Sequence, residues 1–354
     1  MPFLQGNSGK RWESDLSLVG KIRRTLHYLD KKVLGKGIRR FIIKRLIYAI
    51  PVFFIVSLVT WGFMYLAKGD PIIILTGPHA QKELIEEFRR QYGLDQPLHI
   101  QYIRWLGRLL NGDLGRSIIT NEPVTKMIAD RLPTTITLAV SAMLFALIVA
   151  IPAGVIASTK RNTILDYGAM SLAIAGQSIP DFFLAILLII VFGIYLKVLP
   201  ITGYTDFNLF ISNPVEGVRH FLLPVISLGA MFSALAARLV KSGMIEVLDQ
   251  DYITTARAKG LPERYLVIKH ALINTLIPLI TVTATNFATL LGGAIIIEEI
   301  FALPGVGRLL MRSILYRDFP TMQGIALFMA LVYTVTNMVS DVLYGLVDPR
   351  IRVE

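Results

Sequence analysis

The stretch Thr134–Ser158, TTITLAVSAMLFALIVAIPAGVIAS, decides the fold class. It holds no Asp, Glu, Lys or Arg and exceeds the roughly 20 apolar residues that a helix needs to cross a bilayer core. A helix on a soluble core keeps a charged face for water, and this one has none. Five more blocks repeat the pattern. Leu46–Ala67, Phe221–Ala237, Ala271–Ile297 and Pro320–Ser340 are uncharged, and Tyr167–Leu196 carries one charge, Asp181, beside Pro180. The spacing predicts an all-α integral membrane protein with about six transmembrane helices.

Composition agrees. The chain of 354 residues is 54% hydrophobic and only 17% charged, with a net charge of +11 and a mean hydropathy of +0.58. Soluble domains sit nearer 45–50% apolar. A basic, apolar chain points to nucleic acid or to membrane. The block arrangement selects membrane lipid, with no nucleic-acid partner. Positive charge then belongs on cytoplasmic loops. With the N-terminus inside, the inner segments hold 22 Lys and Arg, against 5 in the outer ones once the long outer segment 68–133 is set aside. Long segments cross regardless of charge. Both termini are therefore expected in the cytoplasm, with the chain multi-pass in the cytoplasmic (inner) membrane. The absence of cysteine excludes disulfides and thiolate metal sites.

The resulting plan has a basic cytoplasmic arm over 1–40 and a first span within 41–67. An outer segment over 68–133 follows. The core 134–347 has spans at 134–158, 167–196, 221–240, 271–297 and 320–343 and an inner loop at 244–270, and 348–354 is a cytoplasmic tail. The arm lacks the apolar core of a signal peptide. Leu26, Leu29 and Val33 allow a surface-lying helix, the alternatives being a loose arm or a binding element. In the outer segment, helical spacing of Leu84, Ile85 and Phe88, and of Ile103, Leu106 and Leu110, predicts a small helical cap. Asn111-Gly112-Asp113 should end one helix, and Pro123 should open another reaching Leu132.

Enzymatic chemistry finds no foothold. The histidines, 27, 79, 99, 220 and 270, are scattered and make no HExxH, and no Gly-x-Ser-x-Gly elbow occurs. The nearest approach to a phosphate loop, Gly6-Asn7-Ser8-Gly9-Lys10-Arg11, lacks the hydroxyl residue after Lys. No catalytic residue, metal site or bound cofactor is expected. Energy for pumping would come from another subunit or an ion gradient.

The inner loop carries the most information. It reads Asp251-Tyr252-Ile253-Thr254-Thr255-Ala256-Arg257-Ala258-Lys259-Gly260-Leu261-Pro262-Glu263-Arg264, followed by Lys269-His270-Ala271-Leu272 and Asn274. A helix should end at Gly260, which tolerates the left-handed conformation, and Pro262 should open a second. Ala256 and Ala258 leave room for a partner surface, and Arg257, Lys259 and Arg264 ring it. A short helix offered to the cytoplasm suits insertion into a groove. The alternative is a tight basic loop that only orients the spans.

These residues resemble the EAA loop of ABC-importer permeases. Only Ala256, Gly260 and Leu272 fit the general form, but Ala-Arg-Ala-Lys-Gly followed by His-Ala-Leu-x-Asn is similar to the dipeptide/oligopeptide/nickel permeases. Tyr92-Gly93-Leu94-Asp95-Gln96-Pro97-Leu98, Gly112-Asp113-Leu114-Gly115-Arg116-Ser117, Phe301-Ala302-Leu303-Pro304-Gly305-Val306-Gly307 and Asp348-Pro349-Arg350 extend the resemblance from about Arg40 to the end. The Gly-Asp-Leu-Gly-x-Ser stretch points to the B-type subunit. The basic leader departs from the usual short start. The resemblance implies a type I importer permease fold and transport of a peptide-like solute. It also implies a second related permease, two ATPase subunits that bind ATP and Mg, and an extracytoplasmic solute-binding protein. Tyr252, Thr254, Thr255, Ala256, Arg257, Ala258, Lys259, Gly260, Leu261, Arg264 and His270 would then form the ATPase-coupling loop. A stand-alone secondary transporter or channel is the alternative. It would need paired broken helices or ion-binding carboxylates.

Polar residues within the spans supply candidates for the pathway or gate. Asp181 should face a cavity or a partner, since a lone intramembrane carboxylate is costly; a wetted turn at Pro180 is the other reading. Asn274, Thr281, Thr283, Thr285 and Asn286 line the fifth span as pathway or as helix-packing glue. Glu298 ends that span before the Pro304-Gly305 turn, where the resemblance also implies Glu, and is expected to hold an outer gate through a hydrogen bond or ion pair. Gly292-Gly293 should allow close helix approach, and Asn337 and Asp341 should bond to a neighbouring helix.

Overall fold

The computed structural model describes residues 36–66, 81–92, 95–202, 204 and 208–347. The basic arm, apart from its last five residues, and the tail 348–354 lie outside the described residues, as do the surroundings of Gly293 and the side chain of Asp341. The described residues form helices, with one isolated β-bridge between Arg116 and Pro123. In chain order they are α1 (Lys36–Leu66), α2 (Lys82–Tyr92), α3 (Leu98–Leu110), α4 (Val124–Thr159), α5 (Ile164–Ser178), α6 (Asp181–Leu188), α7 (Asn208–Ser212), α8 (Pro214–Leu248), α9 (Asp251–Ala258), α10 (Glu263–Tyr265), α11 (Ile273–Ile300), α12 (Val306–Leu315) and α13 (Phe319–Val347). π-helical turns, Ile189–Tyr195 and Leu266–Leu272, continue α6 and join α10 to α11.

Four of these stretches are long and apolar enough to cross a membrane: α4, α8, α10 through α11, and α13. The pair α5 and α6 makes a fifth, bent by 103°. The expected first span falls on α1, whose described apolar run, Ile47–Gly62, is shorter. Its exposed Ile50, Val52, Ile55, Leu58 and Val59 suit acyl chains. It is tied to the rest by Tyr102 of α3, whose hydroxyl lies 2.8 Å from Ser57 Oγ and whose ring meets Trp61 at 5.4 Å.

The centre is α8. Asn213 caps it by accepting from the Glu216 amide, and Pro214 supplies a preset first turn. It packs against α4, α5 and α11. A Cβ on Gly154 would lie 2.6 Å from Val240, and one on Gly229 would lie 2.6 Å from the Ala142 carbonyl, so α4 and α8 touch backbone to backbone. At the opposite end of α4, Val124, Met127 and Ile128 pack on Val306, Leu309 and Ile325.

Several boundaries differ from those expected. The outer helix ending at Leu132 and the span starting at Thr134 are one 36-residue helix, α4, with Pro133 inside it. An interior proline costs about 3 kcal/mol, and the packing of Val124, Met127 and Ile128 outweighs it here. The fourth span, expected over 221–240, lies in a longer helix; α8 runs on to Leu248, because its buried face continues through Val240 and Met244. The loop expected over 244–270 therefore starts only after Leu248. The third span is broken at Ile179 and Pro180. Ile179 is extended at φ −106°, ψ 124°, as the residue before a proline prefers, and Pro180 restarts the helix at φ −55°, ψ 141°. Among the described residues Gly292 meets no other helix, since a Cβ there would touch nothing within 4 Å.

Candidate functional site

The segment following α8 is a helical hairpin. α9 ends at Ala258, two residues before Gly260, with Lys259 as its cap. Gly260 stands at φ +81°. Its amide donates to the Arg257 carbonyl at 3.0 Å, and the Leu261 amide donates to that of Ala256 at 3.3 Å. This crossed pair is the Schellman closure, which needs a left-handed residue at the position of Gly260. Pro262 then caps α10, and the chain enters the long helix through the π-helical turn.

The hairpin is held from within and bare outside. Ile253 is its buried anchor. Arg257 makes a two-pronged pair with Glu263 at 3.0 and 2.9 Å, closing the hairpin across its turn. Half-buried His270 lies between the rings of Tyr252 and Tyr265, at 6.3 and 5.5 Å, and Lys269 sits 4.9 Å over Tyr265. Tyr252, Thr254, Thr255, Ala258, Lys259, Gly260, Leu261 and Arg264 are exposed, and Ala256 is half-buried. The space where a Gly260 side chain would project is open. Arg257 and Glu263 also border a cleft of ≈ 620 Å³ with Ser158, Lys160 and Thr163 of the α4–α5 turn. That turn is fastened to α8 by Arg161, bidentate on Asp249 at 3.1 Å, and by Lys241 on buried Asp166 at 2.6 Å.

Glu298 lies at the far end of α11 and is fully buried. Thr135 donates to its Oε1 at 2.6 Å, the Arg308 amide donates to Oε2 at 3.0 Å, and Thr135 in turn accepts from the Val306 amide at 2.9 Å. The carboxylate thus occupies the N-terminus of α12, where free amides and the helix dipole favour an anion. The partners among the described residues are hydrogen-bond donors, not a cation. Gly305 and Gly307 make the room: a Cβ on Gly305 would overlap the Glu298 carboxyl group. A second buried carboxylate, Asp318, closes the other end of α12. It accepts from Ser117 at 2.5 Å, from the Ile118 amide at 3.1 Å and from Thr321 at 2.7 Å.

The remaining candidates stay apart. Asp181 is half-buried at the start of α6 and accepts from the Phe182 amide at 2.8 Å. Asn286 donates to the Val282 carbonyl at 2.8 Å, and Thr281, Thr283 and Thr285 each return to the carbonyl four residues back. Asn274 does the same on His270. Among the described residues these bonds stay within their own helix. Sequence reasoning missed Thr135, Ser117 and Asp318 as junction residues, and also Arg238, which donates to Gln177 of α5. Ser117 alone carried a signal, its place beside the Gly112-Asp113-Leu114-Gly115 turn.

Comparison with known proteins places this arrangement. Residues 150–353 match the family described as binding-protein-dependent transport system inner membrane component, and residues 38–139 match its N-terminal companion. A peptide transport system permease protein of Brucella abortus (strain 2308) is 43% identical over 311 residues, covering 88% of this chain and 98% of that one. The glutathione transport system permease protein of Escherichia coli O6:H1 is 40% identical over 312 residues, with the same coverage of each. In structure, the inward-facing MetNI methionine ABC transporter superposes at a TM-score of 0.50 and 16% identity, over 63% of this chain and 97% of that one, which shows a shared fold. The chain belongs to the family of inner membrane components of binding-protein-dependent transport systems, as a multi-pass ABC-importer permease.

Proposed function

We propose that this permease forms half of the path by which a peptide-like solute is imported, and that the hairpin 251–264 couples it to an ATPase. The observation that carries the coupling is the hairpin itself: a Schellman-closed turn, braced internally by Arg257–Glu263 and the Tyr252–His270–Tyr265 stack, with its outer face unfilled. An internally braced turn with a bare apex transmits displacement as a rigid body and fits a groove. The peptide-like cargo rests on the names of the peptide and glutathione relatives.

In the assembled transporter a second related permease completes the path. Two ATPase subunits bind ATP and Mg, and a binding protein delivers solute to the outer cap. Both termini lie on the hairpin side, in the cytoplasm, as the excess of Lys and Arg there favours. ATP closes the ATPase pair, the hairpin moves with it, and the spans change access. This chain supplies path and lever, with no covalent chemistry. The stand-alone transporter reading is dropped, because the family works with a binding protein. The test is uptake of a labelled tripeptide such as glutathione into proteoliposomes. Uptake should require ATP, the ATPases and the binding protein together. Uptake by this chain alone, or without ATP, contradicts the proposal.

A further inference from the structure

Arg238 stands exposed on α8, ten residues before its end. Its Nη2 donates to Oε1 of Gln177, also exposed, on α5. The direction of reach matters. α5 and α8 run antiparallel, since Lys241 meets Asp166 at one end and Gly176 lies against Ala230 further along. Gln177 is eleven residues, about 16 Å, along α5 from that ion pair. Arg238 therefore reaches away from the charged end of its helix, into the apolar layer. An arginine that only marks the membrane edge snorkels the other way.

The surroundings are wrong for lipid. Next to Gln177 the chain leaves helical geometry at Ile179 and Pro180. Irregular backbone at this depth persists only where it is covered by protein or lines water. Ser178 is exposed beside it. None of the ion pairs among the described residues engages Arg238, and Gln177 is neutral. The guanidinium is held by one Nη2 bond, and its five N–H donors leave a second edge for a two-pronged acceptor.

We propose that Arg238, positioned by Gln177, is an anion-recognition point in the translocation path and takes a carboxylate of the cargo, the C-terminus of a peptide-like solute. The proposal rests on the permease reading above. One bidentate contact at an exposed site gives orientation without tight retention, as a path requires. A lipid phosphate offers similar chemistry, and a carboxylate of the second permease is the protein alternative.

The native chain has no cysteine, so Ser178→Cys reports on this spot in a transporter whose other subunits are cysteine-free. Its reaction with anionic and cationic methanethiosulfonates is followed in phosphatidylcholine nanodiscs, without nucleotide. Both reagents should react, the anionic one preferentially. Adding Arg238→Gln should lower the anionic-to-cationic rate ratio about tenfold. Millimolar trialanine should slow the anionic reagent, and trialanine amide should not. Silence toward both reagents would place the spot against lipid or protein and overturn the proposal. A ratio unchanged by Arg238→Gln would mean that a carboxylate of the second permease already neutralises the cation, and equal effects of trialanine and its amide would remove the cargo assignment. Loss of the anionic preference on adding phosphatidylglycerol would give the site to a headgroup. Labelling needs no turnover, so its failure is separable from failure of ATP-driven uptake.

Discussion

Glu298 shows how one side chain can dictate the residues around it. Its carboxylate is fully buried on Thr135 and the first amides of α12, and it is tolerable there only because those donors are already aimed. The space it fills is the space a side chain at Gly305 would need. Gly305→Ala should therefore push out a pinned carboxylate and cost about 1–3 kcal/mol, as overpacking does. Glu298→Ala should cost a similar amount by orphaning buried donors. In the double variant the methyl group added by Gly305→Ala occupies vacated space, so the pair should be less destabilising than the sum of the singles by about 1 kcal/mol or more. Thermal unfolding midpoints of the four proteins in nanodiscs measure this, and strict additivity would contradict the geometry. The sequence made half of this legible: a carboxylate at the end of an apolar span, followed by Pro-Gly-x-Gly. Thr135, 163 residues away, was not legible, because a threonine in an apolar run looks the same whether it bonds its own helix or another.

At the scale of elements, the hairpin was the most readable part, because its turn chemistry is local. Gly260 and Pro262 act through their own backbones, and the closure they predict is the one found, with α9 ending two residues earlier than expected. Gly260 also separates two explanations. Among the described residues no neighbour within 4 Å would meet its side chain, so a substitution here acts through backbone strain and through whatever partner docks. Gly260→Asn should keep the turn, since Asn accepts the left-handed region. Gly260→Val should strain it by roughly 1–2 kcal/mol. Insertion and folding should survive both, because the spans are untouched. ATP-driven uptake should fall severalfold more with Val than with Asn, and equal uptake would remove the turn from the mechanism. The helices were harder to bound. Pro133 and Pro180 look alike in sequence, yet α4 runs through the first and the third span breaks at the second. Packing of Val124, Met127 and Ile128 on α12 and α13 rescues the first, and that packing is a long-range fact.

The whole molecule joins two rigid ends. At one, α12 is clamped by Glu298 and Asp318 to α4 and to the loop at Ser117. At the other, Arg161–Asp249 and Lys241–Asp166 fix the α4–α5 turn to α8, which leads directly into the hairpin. α4, of 36 residues, and α8, of 35, touch through Gly154 and Gly229 and run between the ends. A force applied at the hairpin thus meets two helices in backbone contact between Gly154 and Gly229, as a lever needs. The class of the molecule was evident from six apolar blocks, whereas this central role of α8 depends on contacts that no single segment encodes. The central claim is that the hairpin seats in an ATPase. Single cysteines at Thr254, Thr255 and Lys259, all exposed, in an otherwise cysteine-free assembled transporter, test it directly with short thiol crosslinkers and cysteines lining the ATPase surface groove. The account predicts crosslinks from this hairpin to the ATPase, with yields that change between nucleotide-free and ATP-bound states. No crosslink from any of the three, in a complex that still hydrolyses ATP and takes up solute, would contradict it.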